Sequence, residues 1–276
     1  MFKVSDCPQD RTMMEWIKQG VGWKHWDAAS ETLTLPGVSV DPSAALADVR
    51  ELFQRVCPVY WKSQPPGALT GLSITCNPSA PSSEWHHGSF GSEKYRAMPA
   101  KDYFTAPAAD AATARKDGYL DALSFRARLP QLQGLPTIER FLDGFNFPVV
   151  RSTVRVIDGS RAWPSRPDGG GMHVDSPTTE LLRLNLCITG TPDFGLEYDN
   201  GTLMLDTPGQ VVAVNTDRMH RAWIAKRSDF LRVHLIIDIA PWLTYHAEED
   251  AWSLNEFYGK VHPFDMVRTG LIHKGM

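Results

Sequence analysis

Residues 172–186, MHVDSPTTELLRLNL, set a histidine and a carboxylate two residues apart and then alternate leucines with Arg183 and Asn185. Strand side chains point to opposite faces in turn, so His173 and Asp175 share a side. In the strand that follows, Arg183, Asn185 and Cys187 lie on one face and Leu182, Leu184, Leu186 and Ile188 on the other. One face is built for packing and the other for chemistry. A buried arginine is costly to leave unpaired, so the polar face predicts a bound anion or a fixed carboxylate beside Arg183.

Outward from this stretch, the chain after Phe147 reads as strands separated by turns. Val149 to Ile157, Leu181 to Thr189, Thr202 to Asp206, Gln210 to Thr216 and Phe230 to Ile239 have the length and β-branched content of strands. Asp199-Asn200-Gly201 and Pro208-Gly209 predict tight hairpin turns. Earlier in the chain, Met13 to Lys18 and Ala44 to Val56 have helical periodicity, the second introduced by the cap Asp41-Pro42-Ser43. Glu31 to Val40 and Ala68 to Cys76 read as strands. An irregular stretch from Asn77 to about Ala109 has the length of a functional lid. The prediction is a mainly β jelly roll with N-terminal packing helices, forming one domain over residues 1–276. Within it, residues 1–146 supply helices, strands and the lid-like loop, 147–240 the site-bearing half of the jelly roll, and 241–276 a C-terminal extension.

Composition narrows the function. The 276 residues are 42% hydrophobic and 22% charged, with a formal net charge of −4 and a pI near 6.1. These are globular proportions, and no basic field is present to hold nucleic acid. Cys7, Cys57, Cys76 and Cys187 form no CxxC pair, which predicts free thiols rather than a zinc site or disulfide framework. The N-terminus lacks the charged and apolar regions of a signal peptide, and no apolar stretch has the length of a membrane span. A cytoplasmic protein with a small-molecule substrate is expected, its oligomeric state left open.

A third ligand candidate joins the pair. His220 follows the strand QVVAVNT, 47 residues beyond His173, where two hairpins return the chain to the same neighbourhood. Two histidines and one carboxylate, His173, Asp175 and His220, make the facial triad that leaves three positions open on iron(II). Arg232, in FLRVHLIID, shares a strand face with His234, and its guanidinium is suited to fork onto the distal carboxylate of a small dicarboxylic acid.

The order His-x-Asp, His, Arg over residues 147–240 resembles the iron(II)- and 2-oxoglutarate-dependent dioxygenases, in particular the aspartyl/asparaginyl β-hydroxylase-like group and its bacterial free-proline hydroxylases. RVHLIID matches the C-terminal strand of the proline hydroxylases. RLNL at 183–186 is similar to that group's Arg-x-His-Leu strand, with Asn185 in place of the histidine. Asp175 sets the chain nearer the free-amino-acid hydroxylases, since the aspartyl/asparaginyl enzymes proper lack the carboxylate ligand. The resemblance implies a double-stranded β-helix of the cupin-like kind. It further implies iron(II), 2-oxoglutarate and O2 as cofactors, with ascorbate helping to keep the iron reduced. His173, Asp175 and His220 become iron ligands, Arg232 holds the 2-oxoglutarate carboxylate, and Arg183 approaches the same co-substrate. The implied reaction hydroxylates an unactivated C–H bond of a small polar substrate such as a free amino acid or a natural-product intermediate.

Alternatives accompany each residue. Arg183 equally fits an internal salt bridge to Asp206 or Asp238, and His234 fits either the co-substrate pocket or a satisfied core position. Asn185 and Trp163 are candidates to touch substrate, Trp163 otherwise packing on the barrel rim. His86-His87 reads as solvated loop, and Gly169-Gly170-Gly171 as a flexible connection without the features of a phosphate loop. The same cofactors also serve desaturation, cyclisation and halogenation, the last disfavoured because Asp175 takes the position a halide needs. A non-enzymatic cupin-like metal-binding module is the remaining alternative, against which Arg232 argues.

Overall fold

The computed structural model describes every residue except 4–5, 9–12, 25, 27, 29, 57, 62–64, 66, 86–94, 98–121 and 166–170. His86, His87, Cys57, Gly169, Gly170 and most of the expected lid fall outside the described residues. The N-terminal part carries β1 (Phe2–Lys3), β2 (Thr32–Ser39), β3 (Val59–Trp61), β4 (Leu69–Ser73), β5 (Thr75–Cys76), β6 (Tyr95–Ala97) and β7 (Ala127–Arg128). The barrel strands are β8 (Val149–Asp158), β9 (Leu182–Thr189), β10 (Phe194–Tyr198), β11 (Leu203–Leu205), β12 (Gln210–Val214), β13 (His220–Ile224) and β14 (Leu231–Ile239). β16 (Ala251–Leu254) pairs with β15 (Leu243–His246) on one side and with β1 on the other.

Strand order makes this a double-stranded β-helix, a jelly roll in which the chain passes back and forth between two sheets. In the larger sheet β12, β9, β14 and β8 are neighbours, extended by β2 at one edge and by β4, β3 and β6 at the other. The smaller sheet runs β11-β10-β13, and the His173 segment adds to it through a bridge to His220. Pairing is antiparallel throughout, so each polar residue sits beside its cross-strand neighbour on one face: His234 opposes both Cys187 and Arg155, and Asp238 opposes Arg183.

The leucine face of β9 turns outward from the barrel and is covered by helices. Leu182, Leu184, Leu186 and Ile188 join Leu235 and Ile237 of β14 in one core with Val49 and Leu52 of helix Pro42–Arg55 and Ile138 and Phe141 of helix Pro136–Asp143. Each such side chain, fully withdrawn from water, stabilises the fold by about 1.5–3 kcal/mol. Asp41 caps the first helix as the sequence predicts, accepting from the amides of Ser43 at 2.9 Å and Ala44 at 3.2 Å. The second helix starts at a proline without a capping residue of its own. Buried Asp48 of the first helix supplies the cap instead, accepting from the Thr137 and Ile138 amides at 2.8 and 3.0 Å.

Two expectations are revised. Asn200-Gly201 does close the β10–β11 hairpin, with Gly201 at φ 83° donating to the Tyr198 carbonyl. Pro208-Gly209 closes no hairpin. It carries the chain from β11 in the small sheet to β12 in the large one, with Gly209 at φ 82° and pressed so closely on the Val40 carbonyl that a Cβ would lie 2.6 Å from it. The second revision concerns β10 and β13, which FGLEY and HRAWI do not announce because neither has a run of β-branched residues. Their partners hold them in the sheet.

Candidate metal centre

His173 and His220 face each other across adjacent strands. Each amide donates to the other's carbonyl at 2.9 Å, and the rings lie 4.8 Å apart between centroids. Asp175 comes two residues later on the same side, anchored by its amide to the Thr216 carbonyl at 3.1 Å. One ligand atom from each of His173, Asp175 and His220 falls within 4.8 Å of the others, and this is the group of three such residues found among the described residues.

The imidazoles are set for coordination. Nδ1 of His173 lies 3.0 Å from the Gly171 carbonyl, and Nδ1 of His220 lies 2.8 Å from that of Arg218. A carbonyl only accepts, so each ring donates from Nδ1, which leaves Nε2 as its ligand atom. Nε2 of His220 stands 3.7 Å from Asp175 Oδ2. Burial pushes the Asp175 carboxyl upward, but the His220 ring and the Arg183 guanidinium outweigh it and hold Asp175 well below the usual carboxylate range. Two imidazole nitrogens and an ionised carboxylate therefore converge, the donor set that a facial iron(II) site requires.

Arg183 is taken up by carboxylates of the chain itself. Its Nε and Nη2 fork onto Asp238 at 2.8 and 2.9 Å, and Nη1 donates to Asp175. Burial alone would lower its pKa, yet Asp238 and Asp175 raise it and keep it charged. Of the alternatives for Arg183, the contact present is the internal salt bridge to Asp238. Asp206, the other partner considered for it, instead receives a fork from Nε and Nη2 of Arg232.

That second pair walls a cavity of about 10 Å³, also bounded by Asn185, Cys187 and His234. Two of its polar atoms, Asn185 Oδ1 and His234 Nδ1, are buried without a hydrogen-bond partner. His234 is held neutral, its pKa driven well below the ordinary value by burial and then by Arg232 and Arg155. Cys187 is pushed up to about 12 by burial and then by Asp206, so its thiol stays protonated. Trp163, considered for the substrate wall, is 54% exposed and is not among the residues lining this cavity.

Arg151 was not among the expected site residues. It occupies a bulge where Arg151 and Ser152 lie between the residues opposing Ile236 and Asp238, and its φ is 37°. Burial lowers its pKa, Asp238 and Asp175 oppose that, and Arg183 and Arg155 reinforce it, so its charge is felt by both carboxylates that hold Arg183. Among the described residues its side chain makes no hydrogen bond or ion pair. Its signal in the sequence was the alternation VVRSTVRVID, in which Arg151, Thr153 and Arg155 recur at every second position.

No family model and no curated protein matches the chain. Among solved structures it is similar to SnoK, a non-heme α-ketoglutarate-dependent carbocyclase from nogalamycin biosynthesis, at 13% identity over 76% of this chain and 80% of that one, with a TM-score of 0.42. A 2OG-Fe(II) oxygenase family oxidoreductase from Burkholderia pseudomallei gives 14% identity, coverage of 76% and 84%, and 0.35. A prolyl-4-hydroxylase from Pseudomonas putida gives 11%, 83% and 99%, and 0.33.

Proposed function

We propose that the chain is an iron(II)- and 2-oxoglutarate-dependent oxygenase that hydroxylates an unactivated C–H bond of a small, carboxylate-bearing substrate such as a free amino acid. One observation carries the reading: two imidazoles with their Nδ1 protons committed to backbone carbonyls stand within 4.8 Å, ligand atom to ligand atom, of an ionised aspartate. With iron bound, 2-oxoglutarate and O2 supply the oxidising chemistry, in which the 2-oxo acid is decarboxylated to succinate as one oxygen atom enters the substrate.

The chain's own residues do the positioning. His173, Asp175 and His220 would hold the metal. Arg183 donates to Asp175 from a guanidinium that Asp238 fixes, so the ligand carboxylate cannot rotate away. Arg232 is the co-substrate clamp in this reading. Arg151 offers a cation beside the cluster to the carboxylate of a substrate, and a bidentate contact there would fix which C–H faces the metal. The leucine face of β9 and the helices over it exclude water from behind the site.

The decisive experiment loads purified protein with iron(II) and measures succinate formed from 2-oxoglutarate in air, over a panel of free amino acids, with products screened for gain of one oxygen atom. One iron per chain and amino-acid-stimulated succinate are expected. Iron binding with no 2-oxoglutarate turnover under any condition would favour the metal-binding module.

A further inference from the structure

Asp206 and Arg232 are each 4% exposed at the side chain, and the guanidinium spends Nε and Nη2 on this one carboxylate. A fork of this kind is the contact that a small dicarboxylic acid would make with Arg232. The adjoining cavity holds about one water molecule, too little for the tail of such an acid while Asp206 is in place. Even so, the cavity presents Asn185 Oδ1 and His234 Nδ1 buried and without partners. Buried polar atoms are ordinarily satisfied, so this pocket is shaped for a polar occupant that arrives from outside the chain.

We propose that Asp206 is a tethered carboxylate occupying the co-substrate's distal-carboxylate site, and that 2-oxoglutarate binds by displacing it from Arg232. This rests on the functional reading above. The backbone around Asp206 is fixed. A Cβ on Gly190 would lie 2.9 Å from the Asp206 carbonyl, the Gly209 amide donates to Cys187 at 2.8 Å, and the Val40 amide donates to Gly209 at 3.0 Å. Exchange is therefore a rotation of the Asp206 side chain toward the exposed Thr207-Pro208 turn, not a movement of the strand. In the free protein Asp206 keeps Arg232 from being a buried, uncompensated cation. In the loaded protein it makes the distal carboxylate of the co-substrate worth little, because one arginine–carboxylate fork replaces another. The consequence is weak discrimination between 2-oxo acids with and without that carboxylate.

The test is anaerobic titration of 2-oxoglutarate and of 2-oxobutyrate, which lacks the distal carboxylate, into iron-loaded wild type and Asp206→Asn, followed by the metal-to-ligand charge-transfer absorption. Wild type should prefer 2-oxoglutarate by less than about tenfold, and Asp206→Asn should bind it at least about tenfold more tightly than wild type does, about 1.4 kcal/mol. Without co-substrate the variant should melt at a lower temperature than wild type, and saturating 2-oxoglutarate should raise its melting temperature by more. Unchanged or weaker binding in Asp206→Asn overturns the inference. If that variant fails to fold, a wild-type preference of tenfold or more overturns it equally. Iron-loaded wild type and variant that bind neither acid would overturn the functional reading instead.

Discussion

Two arginine–aspartate forks stand on the polar face of the large sheet, and their surroundings differ. Arg183 on β9 is held by Asp238 of β14 and reaches on to Asp175, so every atom of that fork is tied either to the fold or to the ligand cluster. Arg232 on β14 is held by Asp206 at the end of β11, beside a cavity in which Asn185 Oδ1 and His234 Nδ1 are unpaired. In the reading proposed above the same chemistry serves two ends: the fork whose partners lead to Asp175 orients a ligand, and the fork beside the cavity keeps a place for one.

The largest effect should come from breaking the first fork. Asp238→Ala leaves Arg183 buried with only Asp175 to neutralise it, and removal of one member of a buried pair costs about 3–5 kcal/mol. Because Arg183 then loses the fork that aims it at Asp175, iron affinity should also fall by about 10–100-fold, the usual result of losing support behind a ligand. Denaturant unfolding and metal titration of the same variant test both halves. Full stability would mean that Arg183 finds another partner, and full iron affinity that Asp175 needs no orientation.

Cutting the second fork should separate co-substrate from metal. Arg232→Ala is expected to weaken 2-oxoglutarate by less than about tenfold, because the fork lost with the co-substrate is matched by the fork lost with Asp206, and to cost about 2–5 kcal/mol of stability by leaving Asp206 buried without its partner. Iron binding should survive, because Arg232 is not a ligand. Arg232→Lys should restore the affinity only in part, supplying the charge without the fork. Loss of iron from Arg232→Ala equal to that from Asp238→Ala would erase the distinction between the forks.

A smaller effect follows from His234 in the cavity wall. Its folded pKa lies well below the ordinary value, chiefly through burial, so the unfolded chain takes up the proton first as pH falls. Stability is therefore intact above the unfolded value near 6.5 and declines below it, by up to about 1.4 kcal/mol per pH unit for this one group. Urea unfolding between pH 7.5 and 5 measures the slope, and His234→Asn should flatten it. An identical slope in the variant would assign the acid sensitivity elsewhere, as to His262 and His273, whose pKa values burial also lowers.

What the sequence made legible was periodicity and residue chemistry. The alternation RLNLC against LLLI fixed both faces of β9 and the packing of helices on one of them, and the residue types at 173, 175 and 220 were enough to bring the ligand set together. Partner choice was not legible. Asp206 and Asp238 are equivalent carboxylates to a reader of the chain, and only the register, which sets Asp238 opposite Arg183 and carries β11 to the far sheet, decides which arginine each one meets. Short strands such as β10 and β13 were hidden for the same reason, because pairing rather than propensity forms them.

Arg151 offers the finest test of the comparison, as a cation near the first fork that belongs to neither. An L-residue in the left-handed region costs about 1–2 kcal/mol, and a strained backbone persists where its surroundings fix it, most often at functional sites. Glycine removes that strain at a cost of about 0.5–1 kcal/mol in chain entropy. Arg151→Gly should therefore leave stability unchanged or raise it by up to about 1 kcal/mol, while a substrate that relies on the guanidinium should show a higher KM. Thermal melting with steady-state kinetics on the best amino acid from the panel reads both quantities. A destabilised variant with unaltered KM would make Arg151 part of the scaffold, whereas the opposite pair of results would make the bulge a device for aiming one positive charge at a substrate carboxylate.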